Sequence, residues 1–248
     1  MIKRILIVGG ANGIGLSTAL EMAKKEKCEK VYIVDKDFIA DEYKLEKIES
    51  YQFDLMSTDY SFFHRFTDID GLLITAGFGR LSLFRDVDEK YIIDSFQVNT
   101  LPVLRLIKYF YNKLNAKEDF YCGVMVSIAG FMSSPFFAVY GATKAALKIF
   151  IESVNVELDK AGTSNRILNI SPGFIKGTSF DQGKTDPAQI IDLARDIIVY
   201  LERKEDLFIP LYDEVYRDVL ARYQADFRAE GRHSYEYKMA SKRIKGLG

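Results

Sequence analysis

Tyr140 and Lys144 lie four residues apart in the run Tyr140-Gly141-Ala142-Thr143-Lys144. On a helix, positions i and i+4 share a face, which sets a phenol beside an ammonium. A phenol next to a cation gives up its proton more readily. A proton donor and acceptor poised over a dinucleotide is what interconversion of a carbonyl and an alcohol needs. The pair is short enough to arise by chance on a solvated helix face, so its meaning depends on its surroundings.

Those surroundings begin near the amino terminus. Val8-Gly9-Gly10-Ala11-Asn12-Gly13-Ile14-Gly15 follows a first apolar run and opens an amphipathic stretch. Gly9 permits a tight turn, Gly13 lets backbone approach a pyrophosphate, and Gly15 lets the helix pack close to a sheet. Amides at the helix start, Asn12 to Gly15, then face phosphate. The alternative is a tight strand-to-helix turn with no ligand. Asp35 ends the second apolar run, where a carboxylate can accept hydrogen bonds from adenosine ribose hydroxyls. It would repel a 2′-phosphate by about 1–4 kcal/mol, which favours NAD over NADP, although Lys36 next door could soften the preference. Asp35 could equally cap a turn. Asp54 and Leu55 end the third run, where an adenine ring would lie. Ala76 and Gly77 follow Thr75 at the end of the fourth, where small residues leave room for the cofactor.

The elements that must position these residues are read from apolar runs alternating with amphipathic segments. Strands are expected at Ile5–Val8, Val31–Val34, Gln52–Leu55, Leu72–Thr75, Val124–Ser127, Ile167–Ile170 and Leu207–Pro210. Helices are expected at Gly13–Glu26, Asp59–Phe66, Lys90–Leu114, Tyr140–Ala161 and Pro187–Arg203, the last opened by Asp186-Pro187. The alternation argues an α/β, Rossmann-like, doubly wound parallel sheet of about seven strands with helices on both faces. Residues 1–210 form one dinucleotide-binding domain, and residues 211–248 a helical appendage of it, helical over Tyr212–Ala229 with a basic end.

Together these motifs resemble the short-chain dehydrogenase/reductase family, in its compact, non-extended branch, over roughly residues 2–210. The resemblance implies an active site of Asn99, Ser127, Tyr140 and Lys144. Asn99 falls inside the long helix, Ser127 ends the strand before Tyr140, and Pro172-Gly173-Phe174-Ile175 matches the loop over the nicotinamide. It implies hydride transfer between NAD(H) and a secondary alcohol or ketone. Tyr140 would be the acid/base, since a free phenol titrates near ~10 and needs help at neutral pH. Lys144 would stabilise the phenolate and bond the nicotinamide ribose. Ser127 would donate to the substrate oxygen, and Asn99 would hold a water linking Lys144 to solvent. Each has a plainer reading: a strand-end turn for Ser127, an interior helix polar group for Asn99, a solvated face for Lys144. Two other functions compete, an NADP(H)-dependent ketone reductase and a non-catalytic dinucleotide-binding sensor or scaffold.

The sequence also departs from the family pattern. Val8 replaces a usual Thr, and Thr75 stands where Asn is common. The threonine expected to touch the carboxamide comes one residue late, as Thr178 after Gly177. Few residues separate Gly173 from Pro187, so the usual lid is short. The aromatic tail Tyr212–Lys245 is then expected to cover the pocket, its own or a partner subunit's, with a surface helix packed on the sheet edge as the alternative. Phe78, Phe131, Met132, Phe137 and Phe174 are candidate pocket walls and suggest an apolar or ring-bearing substrate.

Composition sets outer bounds. The 248 residues carry 34 basic and 35 acidic groups, a formal net charge of −1, which gives no electrostatic case for nucleic acid or an anionic membrane. Cys28 and Cys122 are too few for a disulfide framework. No apolar run reaches spanning length, and the default location is the cytoplasm. A small-molecule alcohol or carbonyl substrate is expected and no metal, and the family resemblance implies a homodimer or homotetramer.

Overall fold

In the computed structural model, the described residues are 1–178, 180 and 185–241. Seven parallel strands form one sheet in the order β3-β2-β1-β4-β5-β6-β7. They are β1 (Arg4–Val8), β2 (Lys30–Asp35), β3 (Ile48–Gln52), β4 (Gly71–Ile74), β5 (Tyr121–Met125), β6 (Ile167–Ile170) and β7 (Leu207–Phe208). The order reverses between β1 and β4, so a crevice opens beyond their carboxyl ends. The helices are α1 (Gly13–Lys24), α2 (Glu89–Asn99), α3 (Leu101–Tyr109), α4 (Tyr111–Leu114), α5 (Ala138–Lys160), α6 (Ile191–Glu202), α7 (Arg217–Ala225) and α8 (Phe227–Ala240).

The central strands are apolar without alternation because both faces are covered. One core cluster packs Leu6, Leu72 and Val124 under α3 and α5, with Leu106 and Leu147 among its buried residues. The other packs Ile5, Ile7 and Leu73 under α1 and α6, with Leu16 and Ile197. Neither cluster contains a residue of α7 or α8.

Four elements differ from the sequence expectation in ways that move site residues or their neighbours. The third strand is Ile48–Gln52, so Asp54 and Leu55 lie beyond it. An edge strand pairs on one side only, and its burial is intermediate nearly throughout, which leaves a weak apolar signal. Phe53 is instead drawn into an aromatic cluster with Tyr60, Phe62 and Phe63. The helix expected at Asp59–Phe66 is a 3-10 turn over Ser61–Arg65, and its Phe62 and Phe63 belong to that cluster. The fifth strand ends at Met125, so Ser127 stands just past it. The long helix expected over Lys90–Leu114 is interrupted at Thr100 and Phe110. Pro102 occupies the first turn of α3, where its missing N–H and its ring favour a helix start over a helix interior. Asn99 is therefore the last residue of α2, not a mid-helix residue.

The tail is two helices. Leu211 takes a left-handed conformation (φ 58°) and ends the sheet region. A π turn over Tyr212–Tyr216 leads into α7. Asp226 breaks the chain and caps α8, accepting from the amides of Arg228 and Ala229. Residues 242–248, which hold the basic end of the tail, lie outside the described residues, as do 179 and 181–184 of the short lid segment.

Candidate active site

The glycine turn is built by close approach. Gly9 has φ +92°, and a Cβ there would strike the backbone of Ala76 on the neighbouring strand end. The turn is held by the Gly9 amide bonding to Val34 O (2.8 Å) and by Thr75 Oγ1 donating to Gly9 O (2.8 Å). Thr75 thus does structural work in the turn where Asn is common in the family. Asn12 precedes α1 without capping it through its side chain. Gly13 (φ +55°) has open space where a Cβ would be, and Asn12 to Gly15 line a cavity of about 510 Å³. Uncapped helix amides opening on a cavity suit a phosphate. Asp35 Oδ2 accepts from the Ala11 amide at 3.0 Å, which ties the end of β2 to this turn.

The same cavity reaches Ser127 and Tyr140. Tyr140 lies on the first turns of α5 and is only 8% exposed. Burial pushes its phenol up to about 12, against a lowering hydrogen bond with the Ser127 side chain. Ser127 Oγ accepts from the Ala129 amide (3.1 Å) and makes a long bond to Pro172 O (3.4 Å). Lys144, one turn beyond Tyr140, is buried, and desolvation takes its ammonium down to about 7. Its Nζ donates to Met125 O at 2.8 Å and stands 5.7 Å from the Tyr140 ring centroid. Burial is the first cause of the shift in both groups.

Asn99 is fully buried at the α2–α3 break. Its Oδ1 accepts from Phe78 N (2.9 Å), and its Nδ2 donates to Phe78 O (2.8 Å) and Thr143 Oγ1 (3.3 Å). This fixes Gly77, whose missing Cβ would lie 3.2 Å from Asn99 Oδ1 and 3.4 Å from Lys144 Nζ. Thr100 Oγ1 donates to Thr143 O (3.2 Å), so the interrupted helix is bonded to α5 beside the motif.

Several expected cofactor residues line this cavity: the glycine turn, Gly77, Tyr140, Pro172, Gly173, Ile175 and Thr178. Thr178 Oγ1 donates to Ile175 O at 2.9 Å. Asp35, Asp54, Leu55, Ala76 and Lys144 are not among its lining residues. Asp54 caps a turn, accepting from Met56 N at 2.9 Å. Of the candidate walls, Met132, Phe137 and Phe174 line the cavity. Phe78 packs against Tyr91 instead, and Phe131 sits under Lys148.

The tail expected to cover the pocket does line this cavity, with Glu230, His233, Ser234 and Lys238 from α8 and Val215 and Val219 from the turn and α7, none of which the sequence singles out, beside the tyrosines Tyr216 and Tyr237. Their part depends on how the tail docks. Lys238 Nζ donates to Ser134 Oγ (2.6 Å) and Pro135 O (2.9 Å), and Tyr235 stacks on Phe136 at 4.6 Å. Tyr216 presses its hydroxyl against Gly173, so closely that a Cβ there would overlap it.

A family described as short chain dehydrogenase matches residues 3–189. An NADP-dependent 3-hydroxy acid dehydrogenase of Schizosaccharomyces pombe is 29% identical over 242 residues, covering 84% of this chain and 90% of that one. A sorbitol-6-phosphate 2-dehydrogenase of Klebsiella pneumoniae is 27% identical over 189 residues, covering 70% and 69%. Among solved structures, a short-chain dehydrogenase from Burkholderia cenocepacia in complex with NADP superposes with a TM-score of 0.74 at 19% identity, covering 94% of this chain and 97% of that one. A structure titled ElxO with NADP bound gives 0.68 at 21% identity, covering 84% and 97%. At these identities the solved structures speak to the fold alone. The family match spans most of the chain, and the chain belongs to the short-chain dehydrogenases, oxidoreductases that act on CH–OH groups.

Proposed function

We propose that this protein interconverts a secondary alcohol and its ketone with a nicotinamide dinucleotide, using Tyr140, Ser127, Lys144 and Asn99. The observation that carries the reading is the single cavity that runs from the uncapped start of α1 to the Ser127 hydroxyl and the Tyr140 phenol. The amides of Asn12–Gly15 and the open face of Gly13 would hold the pyrophosphate. Asp35 would take the adenosine ribose, and Ile175 and Thr178 would flank the nicotinamide end. The dinucleotide, when bound, supplies or removes the hydride.

The chain's own residues handle the proton and the orientation. In reduction the carbonyl π pair moves to oxygen, and that oxygen takes the proton of Tyr140 Oη. In oxidation the phenolate takes the alcohol proton back. Ser127 Oγ can exchange its long bond to Pro172 O for a bond to the substrate oxygen. Lys144 keeps donors beyond the one spent on Met125 O, and its charge favours the phenolate. Asn99 fixes the Gly77 edge of the Lys144 chamber, where a water would return protons to Lys144.

Two observations bear on the cofactor. The Asp35 carboxylate, fixed on the glycine turn, disfavours a 2′-phosphate. The Schizosaccharomyces relative is named NADP-dependent, which favours the phosphorylated form. Titration calorimetry with both dinucleotides decides between them, and tighter NADP binding would refute the Asp35 argument. Tyr140→Phe should lower kcat by about 10²–10⁴ while dinucleotide affinity stays near wild type. Unchanged turnover in a folded Tyr140→Phe protein would refute the assignment of Tyr140. Dinucleotide binding with no turnover across a panel of alcohols and ketones would favour a sensor.

A further inference from the structure

The cavity lining is of three chemical kinds. Ser127 and Tyr140 are the proposed reacting groups. Phe137, Val215, Tyr216 and Val219 supply rings and aliphatic groups. Glu230, His233, Ser234 and Lys238 of α8, with Ser134 from the core, supply polar and charged ones. On the dehydrogenase reading above, we propose that α8 is the substrate-recognition wall, and that Glu230 selects a polyhydroxylated substrate, an alditol- or sugar-like alcohol with hydroxyls remote from the reacting carbon.

Glu230 is 8% exposed and lines the cavity. Its carboxylate is held ionised by Arg222, whose Nε bonds Oε2 at 2.7 Å and whose second nitrogen reaches Oε1 at 3.3 Å, while His233 Nδ1 lies 3.5 Å from Oε1. A carboxylate offers about four acceptor sites, so three contacts leave capacity on Oε2. The countercharge is already present in Arg222, so the remaining capacity suits a neutral donor better than a second cation. Ser134 Oγ accepts a hydrogen bond from Lys238 Nζ at 2.6 Å, which leaves its own hydrogen to donate. The α8 wall and Ser134 thus offer the cavity acceptor and donor groups together, the pattern that matches alcohol hydroxyls, which both donate and accept. A wholly apolar substrate would strip water from Glu230 and return no hydrogen bond. The C–H faces of a sugar-like body fit the apolar part of the lining. Such a substrate departs from the apolar or ring-bearing one that the phenylalanines alone suggest.

The full chain is assayed with sorbitol, ribitol and myo-inositol against cyclohexanol and 2-octanol, with NAD and with NADP, for wild type, Glu230→Gln and Glu230→Leu. NADH and NADPH binding by fluorescence and cooperative melting report folding. We expect wild type to show kcat/KM at least about tenfold higher on one or more of the polyols than on either apolar alcohol. Both variants should lower that ratio at least about tenfold, chiefly through KM. The proposal is overturned if wild type prefers the apolar alcohols, if a folded variant keeps the wild-type ratio, or if wild type binds a dinucleotide and oxidises none of the polyols. Should both variants fail to fold, the wild-type preference alone decides. Failure to bind either dinucleotide would instead refute the underlying dehydrogenase reading.

Discussion

At the scale of single residues, burial sets the protonation of the pair Tyr140 and Lys144. Both are deeply enclosed, and each is pushed toward its neutral form, to about 12 and about 7 respectively. The lysine has a consequence for stability. Its folded value lies below its ordinary 10.5, so between about pH 7 and 10.5 the unfolded chain holds a proton that the folded chain lacks. Stability then rises with pH across that window. Lys144→Met removes this term, so the unfolding free energy of wild type relative to the variant should climb from pH 7 to 10.5, by an amount on the order of a few kcal/mol. A pH-independent difference in calorimetric melting would show that Lys144 is charged when folded. Tyr140, Lys144, Ser127 and the glycine turn are legible in sequence because their spacing is local and their chemistry is specific. Glu230 is not. An exposed-looking glutamate in a charged helix becomes a cavity wall only when a remote segment docks.

At the scale of elements, the sheet and its main helices are legible because parallel strands buried on both faces leave dense apolar runs. β3 is less so, since it is an edge strand, and its neighbour Phe53 carries the apolar signal past the true end. The break after Asn99 was written in Thr100-Leu101-Pro102, yet the apolar period continues through it and hides the interruption. The tail helices have few apolar contacts, and their caps matter correspondingly more. Asp226 bonds two amides of the first turn of α8. Asp226→Ala should cost about 1 kcal/mol locally. Hydrogen exchange of α8 amides should quicken roughly fivefold, while β1 amides keep their protection. Equal protection in α8 would mean that docking, not capping, holds the helix.

At the scale of the whole molecule, the catalytic body and the tail are joined differently from the parts of the body itself. The body holds together through two apolar cores, and the tail through Lys238 on Ser134 and Pro135, Tyr235 on Phe136, and Tyr216 on Gly173. A chain truncated after Pro210 should therefore still melt cooperatively and bind a dinucleotide, with substrate KM raised at least about tenfold, equivalent to roughly 1.4 kcal/mol. Loss of cooperative melting would show that the tail belongs to the folding unit, and an unchanged KM that it does not shape the pocket. The contact of Tyr216 with Gly173 carries a genetic consequence. In this chain any side chain at 173 collides with the phenol, while in the truncated chain, or beside Tyr216→Ala, that collision is gone. Positions 173 and 216 form an epistatic pair, so Gly173→Ala should damage the intact enzyme more than the Tyr216→Ala background, and the order in which such changes arise would decide which are tolerated.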